Sequence, residues 1–190
     1  MVRNPERRTA LVDAAIEVLA REGARGMTFR AVDTEAGVPP GTASNYFTSR
    51  DDLFIQAGRH IHVRMAPDPD EVAEALRPAP SRELVASLMH WLVRRMAKER
   101  VGCLALLELK LEATRRPELR ATLTEAIRAD LDANIRFHLD AGLPGDADTV
   151  RLLHFAMTGL LIDSLTLPDV LGPDQTDRLV EMVVDRVVGS

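Results

Sequence analysis

Thr42, Ser44, Asn45 and Tyr46 fall in one short stretch and bring two hydroxyls, an amide and a phenol together with no acid among them. Such groups donate and accept hydrogen bonds without repelling a polyanion, which is the chemistry of reading base edges in a major groove. Groups able to break bonds are scarce. Glu108 and Glu112, four apart, share a helix face and could serve acid–base work, but Glu112 also precedes Arg116 by four and fits an ion-paired, solvated face. His60 and His62, two apart, diverge on a helix and make no metal pair. Cys103 sits among Leu and Val with no His near it in sequence, the setting of a buried, inert thiol. No glycine-rich phosphate loop or nucleophile elbow occurs. The sequence therefore predicts no catalytic residue, no metal and no cofactor, with an all-α hydrolase or lyase as the alternative of a different class.

The stretch that must position the four polar side chains reads TFRAVDTEAGVPPGTASNYF, Thr28 to Phe47. Thr28 can cap a first helix, Ala31, Val32 and Ala36 give it a small apolar face, and Gly37 supplies a left-handed end. Val38 plugs the turn. Pro40 suits the first position of a second helix, where Ala43 and Phe47 lie four apart on one face and turn Thr42, Ser44, Asn45 and Tyr46 elsewhere. This is the pattern of a helix-turn-helix with its recognition helix second, although paired short helices around a glycine also occur in all-α domains that never touch nucleic acid. Asn45 can bond an adenine edge in two places or hold a phosphate. Thr28 and Arg30 begin one helix and Thr48 and Arg50 lead into another, where free N–H groups favour anions. The expected DNA contacts are thus Thr28, Arg30, Pro40, Gly41, Thr42, Ser44, Asn45, Tyr46, Thr48 and Arg50, with Arg30 equally able to pair with Asp33 or Asp13.

These residues resemble the tetracycline-repressor (TetR) family of transcriptional regulators, closely from Arg7 to Leu53 and elsewhere only in helical layout. The elements that carry the resemblance are Thr28 with Arg30, Ala36-Gly37-Val38, Gly41-Thr42, Tyr46-Phe47, and Ser49-Arg50-Asp51 with Leu53. Two positions depart from the family pattern. A serine often stands where Pro39 is and an aromatic where Ser44 is, so the second helix lacks a hydroxyl cap and its groove face lacks a ring. Base preference cannot be carried over from relatives.

At 190 residues the chain holds one large domain or two smaller ones, and its 46% hydrophobic content is ample for a core. Aromatics at only 4% fit helix packing better than a β-sandwich. One cysteine, no signal-like run after Met1 and no apolar segment near the roughly 18 residues of a membrane span predict a soluble, cytoplasmic protein. The net charge of −5 is carried downstream: the first 62 residues have 8 Arg against 8 acids, leaving 16 Lys plus Arg against 21 acids for the rest. A neutral head can still bind phosphate through a local field, and Arg3, Arg7 and Arg8 cluster at its start, although an ordinary solvated terminus also accounts for them.

Periodicity predicts an all-α chain of about nine helices with no β-period or repeat: Pro5 to Arg21, ended by Gly23, the pair within Thr28 to Phe47, Arg50 to Met65, Arg82 to Lys98, Gly102 to Thr114, Glu118 to Ala141, Asp148 to Leu167, and Pro173 to Val188. Ala66 to Pro80, with four prolines, reads as a loop carrying at most a short helix over Glu71 to Leu76. The expected division is a three-helix DNA-binding head over 1–48, joined through helix 49–65 to a regulatory and dimerisation domain over 66–190.

The last two helices are apolar nearly all the way round, and a terminal helix has few internal partners, so a second subunit is an economical cover; packing within one chain is the alternative. The expected interface is Leu152, Phe155, Ala156, Gly159, Leu160, Val180, Val183, Val184 and Val187, and the resemblance implies a homodimer through these two helices. Trp91, Met96, Cys103, Leu107, Leu111, Phe137 and Met157 lie on apolar helices to which Asn134, His138, His154 and Asp163 bring polar groups, each of which internal hydrogen bonds could satisfy. That several line one cavity for a small, largely hydrophobic effector of unknown identity is what the resemblance adds. It implies a dimeric repressor of double-stranded operator DNA, with a constitutive DNA-binding protein as the competing reading.

Overall fold

A computed structural model describes residues 4–172 and 175–188. Arg3, from the basic cluster, and Pro173, the expected start of the last helix, lie outside the described residues. The described chain is all-α, with ten α-helices and one 3-10 turn: α1 Pro5–Gly26, α2 Phe29–Glu35, α3 Thr42–Tyr46, α4 Arg50–Arg64, α5 Pro69–Ala75, α6 Arg82–Lys98, α7 Arg100–Ala113, α8 Pro117–Asp140, α9 Ala147–Thr166, the 3-10 turn Pro168–Val170, and α10 Gln175–Val187. None of the described helices is long and apolar enough to cross a membrane.

Capping chemistry sets most of the helix starts. Asn4 accepts the Glu6 and Arg7 N–H groups at 2.9 and 3.3 Å ahead of Pro5. Asp68 accepts Asp70 N–H at 2.8 Å, which lets α5 begin at Pro69 rather than at Glu71. Ser49 caps α4 through Asp52 N–H, and Asp146 and Thr149 form a reciprocal capping box at α9. Gly23 interrupts α1 as expected, with φ 68° and ψ −178°, but one more turn follows and carries the helix to Gly26. That turn persists because its backbone finds outside partners: Ala24 N–H donates to Glu108 Oε2 at 3.1 Å, and Arg50 donates to the carbonyls of Ala24 and Met27 at 2.8 and 2.9 Å.

The chain forms two compact units, 1–66 with 99–126 and 67–98 with 127–190. In the first, α1 packs on α2, α4 and α7, burying Leu11, Ile16, Leu19, Met27, Leu53, Phe54, Ile61 and Leu109. The face α7 buries is Gly102, Ala105, Leu109 and Ala113, three small side chains that allow close approach. Leu119 and Leu123 of α8 pack onto Gly58 of α4. Two polar contacts with matching four-residue spacing join α4 to α1, His60 hydrogen-bonded with Asp13 at 3.0 Å and Arg64 ion-paired with Glu17 at 2.6 Å. The packing units are therefore not the functional segments read from the sequence, since α7 and the start of α8 pack with the head.

In the second unit α6, α9 and α10 pack together. Leu84, Val85, Leu88, Leu143, Leu153 and Val184 form one apolar cluster, and Val93, Met157 and Val180 form the next. The expectation that Val180 and Val184 face a partner is thereby corrected. Both are fully buried within the chain, because the terminal helix has internal partners in α6 and α9. His90 of α6 bridges Asp177 and Glu181 of α10 at 3.1 and 2.8 Å.

The conformation of Gly23 is one that only glycine occupies without strain, and a Cβ there would lie 3.3 Å from the Glu108 carboxylate. Gly23→Ala is expected to cost about 1–3 kcal/mol, read as a lowered urea midpoint. An unchanged midpoint would show that the break relaxes without cost.

Candidate nucleic-acid interface

The second helix of the motif is assembled from its surroundings. Gly37 ends α2 in the left-handed region at φ 63°, while Val38 N–H reaches Asp33 O at 3.0 Å and Gly37 N–H reaches Thr34 O at 3.1 Å, closing a Schellman motif. Pro39 to Thr42 then form a type II turn: Gly41 has φ 89° and ψ −4°, and Thr42 N–H returns to Pro39 O at 3.2 Å. This corrects the placement of Pro40, which fills the first corner of the turn; α3 begins two residues later, at Thr42. Ala43 and Phe47 are buried, and Ser44 and Asn45 are exposed beside half-buried Thr42 and Tyr46.

No side chain at the cap position holds the start of α3. Asp33, 2% exposed, does so from α2, its two oxygens accepting Gly41 N–H and Ala43 N–H at 2.7 Å each. From the sequence alone Asp33 is legible only as a partner for Arg30. The available signal was an acid on a face of small apolar residues, followed by a proline where a hydroxyl cap is usual.

The predicted contacts divide by what they already hold. Thr28 caps α2 through Ala31 N–H at 3.1 Å. Thr42 and Ser44 donate to Pro39 O and Gly41 O at 2.5 and 2.8 Å. Thr48 gives both N–H and hydroxyl to Asp52. Arg50 is spent on the end of α1, and Arg8 donates to Tyr46 O at 2.9 Å while its guanidinium lies 4.9 Å from the Phe47 ring centre. Asn45 is fully outward, and Arg7 and Arg30 are exposed and form no ion pair among the described residues. Both acids once open to Arg30 are occupied, Asp33 by backbone and Asp13 by His60.

Residues 11–57 match the model of bacterial regulatory proteins, tetR family, and residues 80–190 match that of the tetracyclin repressor-like C-terminal domain. This chain belongs to the TetR family. It carries the DNA-binding domain of a transcriptional regulator. It is 36% identical over 118 residues to the HTH-type transcriptional regulator BetI of Rhizobium meliloti (strain 1021), a match spanning 61% of this chain and 56% of that protein. The chain spans about half the length of the curated relatives it matches. Among solved structures, the multidrug binding protein EbrR complexed with ethidium is similar with a TM-score of 0.67 at 30% identity, covering 98% of this chain and 100% of that one. A TetR-family member from Streptomyces coelicolor A3 is similar with a TM-score of 0.68 at 28% identity and the same coverage.

The residues of this TetR-family chain expected around an effector fall in both compact units. Cys103, Leu107 and Leu111 belong to the first unit, and Trp91, Met96, Asn134, Phe137, His138, His154, Met157 and Asp163 to the second. His138 is corrected to a structural histidine, 6% exposed, whose Nε2 meets Pro144 O at 2.9 Å. Met157 fills the cluster with Val93 and Val180, and Met96 is also buried. Leu111 is 51% exposed and borders an open cleft of about 500 Å³ that also carries Glu22, Glu108, Glu112 and Arg115. Cys103 is half-buried. Glu108 and Glu112 do not form a working acid–base pair: the first accepts Ala24 N–H and the second pairs with Arg116 at 2.9 Å.

Asn45→Ala is expected to weaken binding to a selected duplex by about 1–3 kcal/mol with relaxed preference at one base pair; a uniform loss across sequences would assign it to phosphate. Arg30→Ala should reduce the salt slope of binding by about one unit, and an unchanged slope would remove Arg30 from the interface. Burial would raise the Asp52 carboxyl, but hydrogen bonds from Thr48 N–H, Gln56 and the Thr48 hydroxyl, with the Arg8 charge, outweigh it and hold the pKa below its ordinary value. A lowered carboxyl pKa stabilises the fold above the unfolded value and loses that contribution as pH falls through the folded one. Asp52→Asn should therefore melt below the parent at pH 7, with the gap closing in acid well below about pH 3.9.

Proposed function

We propose that this regulator is a cytoplasmic, dimeric, sequence-specific repressor that a small, largely hydrophobic effector releases from its operator. The observation that supports dimerisation most directly is the division of α9 into two apolar faces. Val150, Leu153 and Met157 point into the chain, while Leu152, Phe155 and Gly159, at the same three-and-four spacing, are exposed, Leu152 at 57% and Phe155 at 67%. Ala156 and Leu160 of α9 and Val183 and Val187 of α10 are half-buried beside that stripe and extend the apolar surface. A second copy presenting the same stripe would bury it by two-fold symmetry. It would also supply a second head, as a two-half-site operator with centres about 34–36 Å apart requires.

Support for an effector is of a different kind. EbrR, similar along almost the whole chain, is a multidrug binding protein complexed with ethidium. Here the side chains suited to such a ligand lie within the second unit: Trp91, Phe137 and His154 as aromatic surfaces, and Asn134 and Asp163 as polar anchors, none of them fully buried. An effector acts only through its preference for the released conformation, and by linkage operator DNA must weaken effector binding by the same factor.

Two outcomes test the proposal. Phe155→Glu is expected to sediment as a monomer and to bind a selected two-half-site duplex at least tenfold more weakly; a variant still dimeric would move the interface off α9. A compound found in a screen to displace the duplex should bind the protein–duplex complex more weakly than the free protein, followed by the fluorescence of Trp91, the single tryptophan. Equal affinities would leave a constitutive DNA-binding protein as the better reading.

A further inference from the structure

We propose that Asp33 is the positioning residue of the DNA-reading helix, setting through one buried carboxylate the angle at which α3 presents Thr42, Ser44, Asn45 and Tyr46. The proposal rests on α3 being the base-reading element. It begins from a shortage: α3 has five residues, and no cap side chain of its own holds its first N–H groups. Both oxygens of Asp33 are used, Oδ2 by Gly41 N–H and Oδ1 by Ala43 N–H, each at 2.7 Å. A carboxylate is planar with its two acceptors at a fixed separation, so two such bonds fix the rotation of α3 about its axis as well as its distance from α2. That rotation keeps Ala43 buried and Ser44 and Asn45 exposed.

The carboxylate is also the group that suits the place. Negative charge at a helix start is favourable, and at 2% exposure Asp33 offers approaching phosphates almost no surface to meet. An amide of the same shape would aim its NH2 group at one of the two N–H donors, so Asn can keep only one bond. Glu is one methylene too long for a fully packed position. The flanking geometry agrees: with Pro39 and Pro40 in a type II turn, neither residue can contribute a hydroxyl, and the cap has to come from another helix.

Asp33→Asn and Asp33→Ala separate positioning from stability. Each variant is compared with the parent at a temperature where circular dichroism shows it fully folded, against a duplex selected by the parent from a random pool and a scrambled duplex of equal length and salt. The expected result is a fall of more than fivefold in the ratio of selected to scrambled affinity, with scrambled binding nearly unchanged, because exposed phosphate-binding groups survive a misset helix and base contacts do not. A ratio within fivefold of the parent in folded Asp33→Asn overturns the proposal. A parent that selects no duplex at all would instead count against base reading by α3. Should neither variant fold, amide exchange in the parent decides: Gly41 and Ala43 are expected to be protected, and exchange at unfolded-chain rates overturns the proposal.

Discussion

A helix of five residues satisfies almost none of its own backbone, and the first unit is arranged around that constraint. An isolated helix of this length is far below the roughly 12–15 residues at which helices become even marginally stable in water. Partners for α3 therefore arrive from three directions. Asp33 takes two N–H groups from α2, the type II turn takes Thr42 N–H, and Arg8 of α1 takes the Tyr46 carbonyl while covering Phe47. The Thr42 and Ser44 hydroxyls bond the turn carbonyls rather than waiting free in solvent. α3 is stable only as part of this set, so its orientation is a property of the whole head.

The same logic extends to the end of α1. The extra turn after Gly23 exists because Glu108 of α7 and Arg50 of α4 both hold Ala24, one through its N–H and the other through its carbonyl. Arg116, at the α7–α8 corner, pairs with Asp51 at the first turn of α4 and lies 4.6 Å from the Phe54 ring centre. Arginine is thus used mainly as a multidentate clamp on carbonyls and carboxylates, a role its planar fork suits better than lysine would. α7 and the start of α4 are bonded to the segment that leads into α2 and α3. The head has equal numbers of arginines and acids, and Arg7 and Arg30 are exposed and form no ion pair among the described residues.

Element existence was legible because apolar spacing and caps are local signals. The ends of α4, α6 and α9 fall within a residue or so of where Ser49, Ser81 and the three-and-four pattern put them. What escaped were bonds between a side chain and a distant backbone, which leave no spacing to read. Asp33 to Ala43, Glu108 to Ala24 and Arg50 to Met27 span 10, 84 and 23 positions. Pro40 was misplaced because a proline suits both a helix start and a turn corner, and only the left-handed Gly41 after it decides. His138 looked like a ligand group because a sequence shows a polar residue on an apolar helix but not the Pro144 carbonyl that receives it.

Periodicity also measures how much of a helix is apolar without saying what covers it, and α9 and α10 show the two outcomes. Val180 and Val184 of α10 are covered within the chain, whereas Leu152 and Phe155 of α9 are not. Fully burying a large apolar side chain is worth about 1.5–3 kcal/mol, and with Leu152 57% and Phe155 67% exposed, a symmetric contact burying what remains of both on each copy gains roughly 4–7 kcal/mol. Association itself costs on the order of 4–15 kcal/mol before any surplus appears. The exposed stripe alone is therefore marginal as an interface. The half-buried flank of Ala156, Leu160, Val183 and Val187 would have to join it, so that the proposed interface needs the α9–α10 surface rather than α9 by itself.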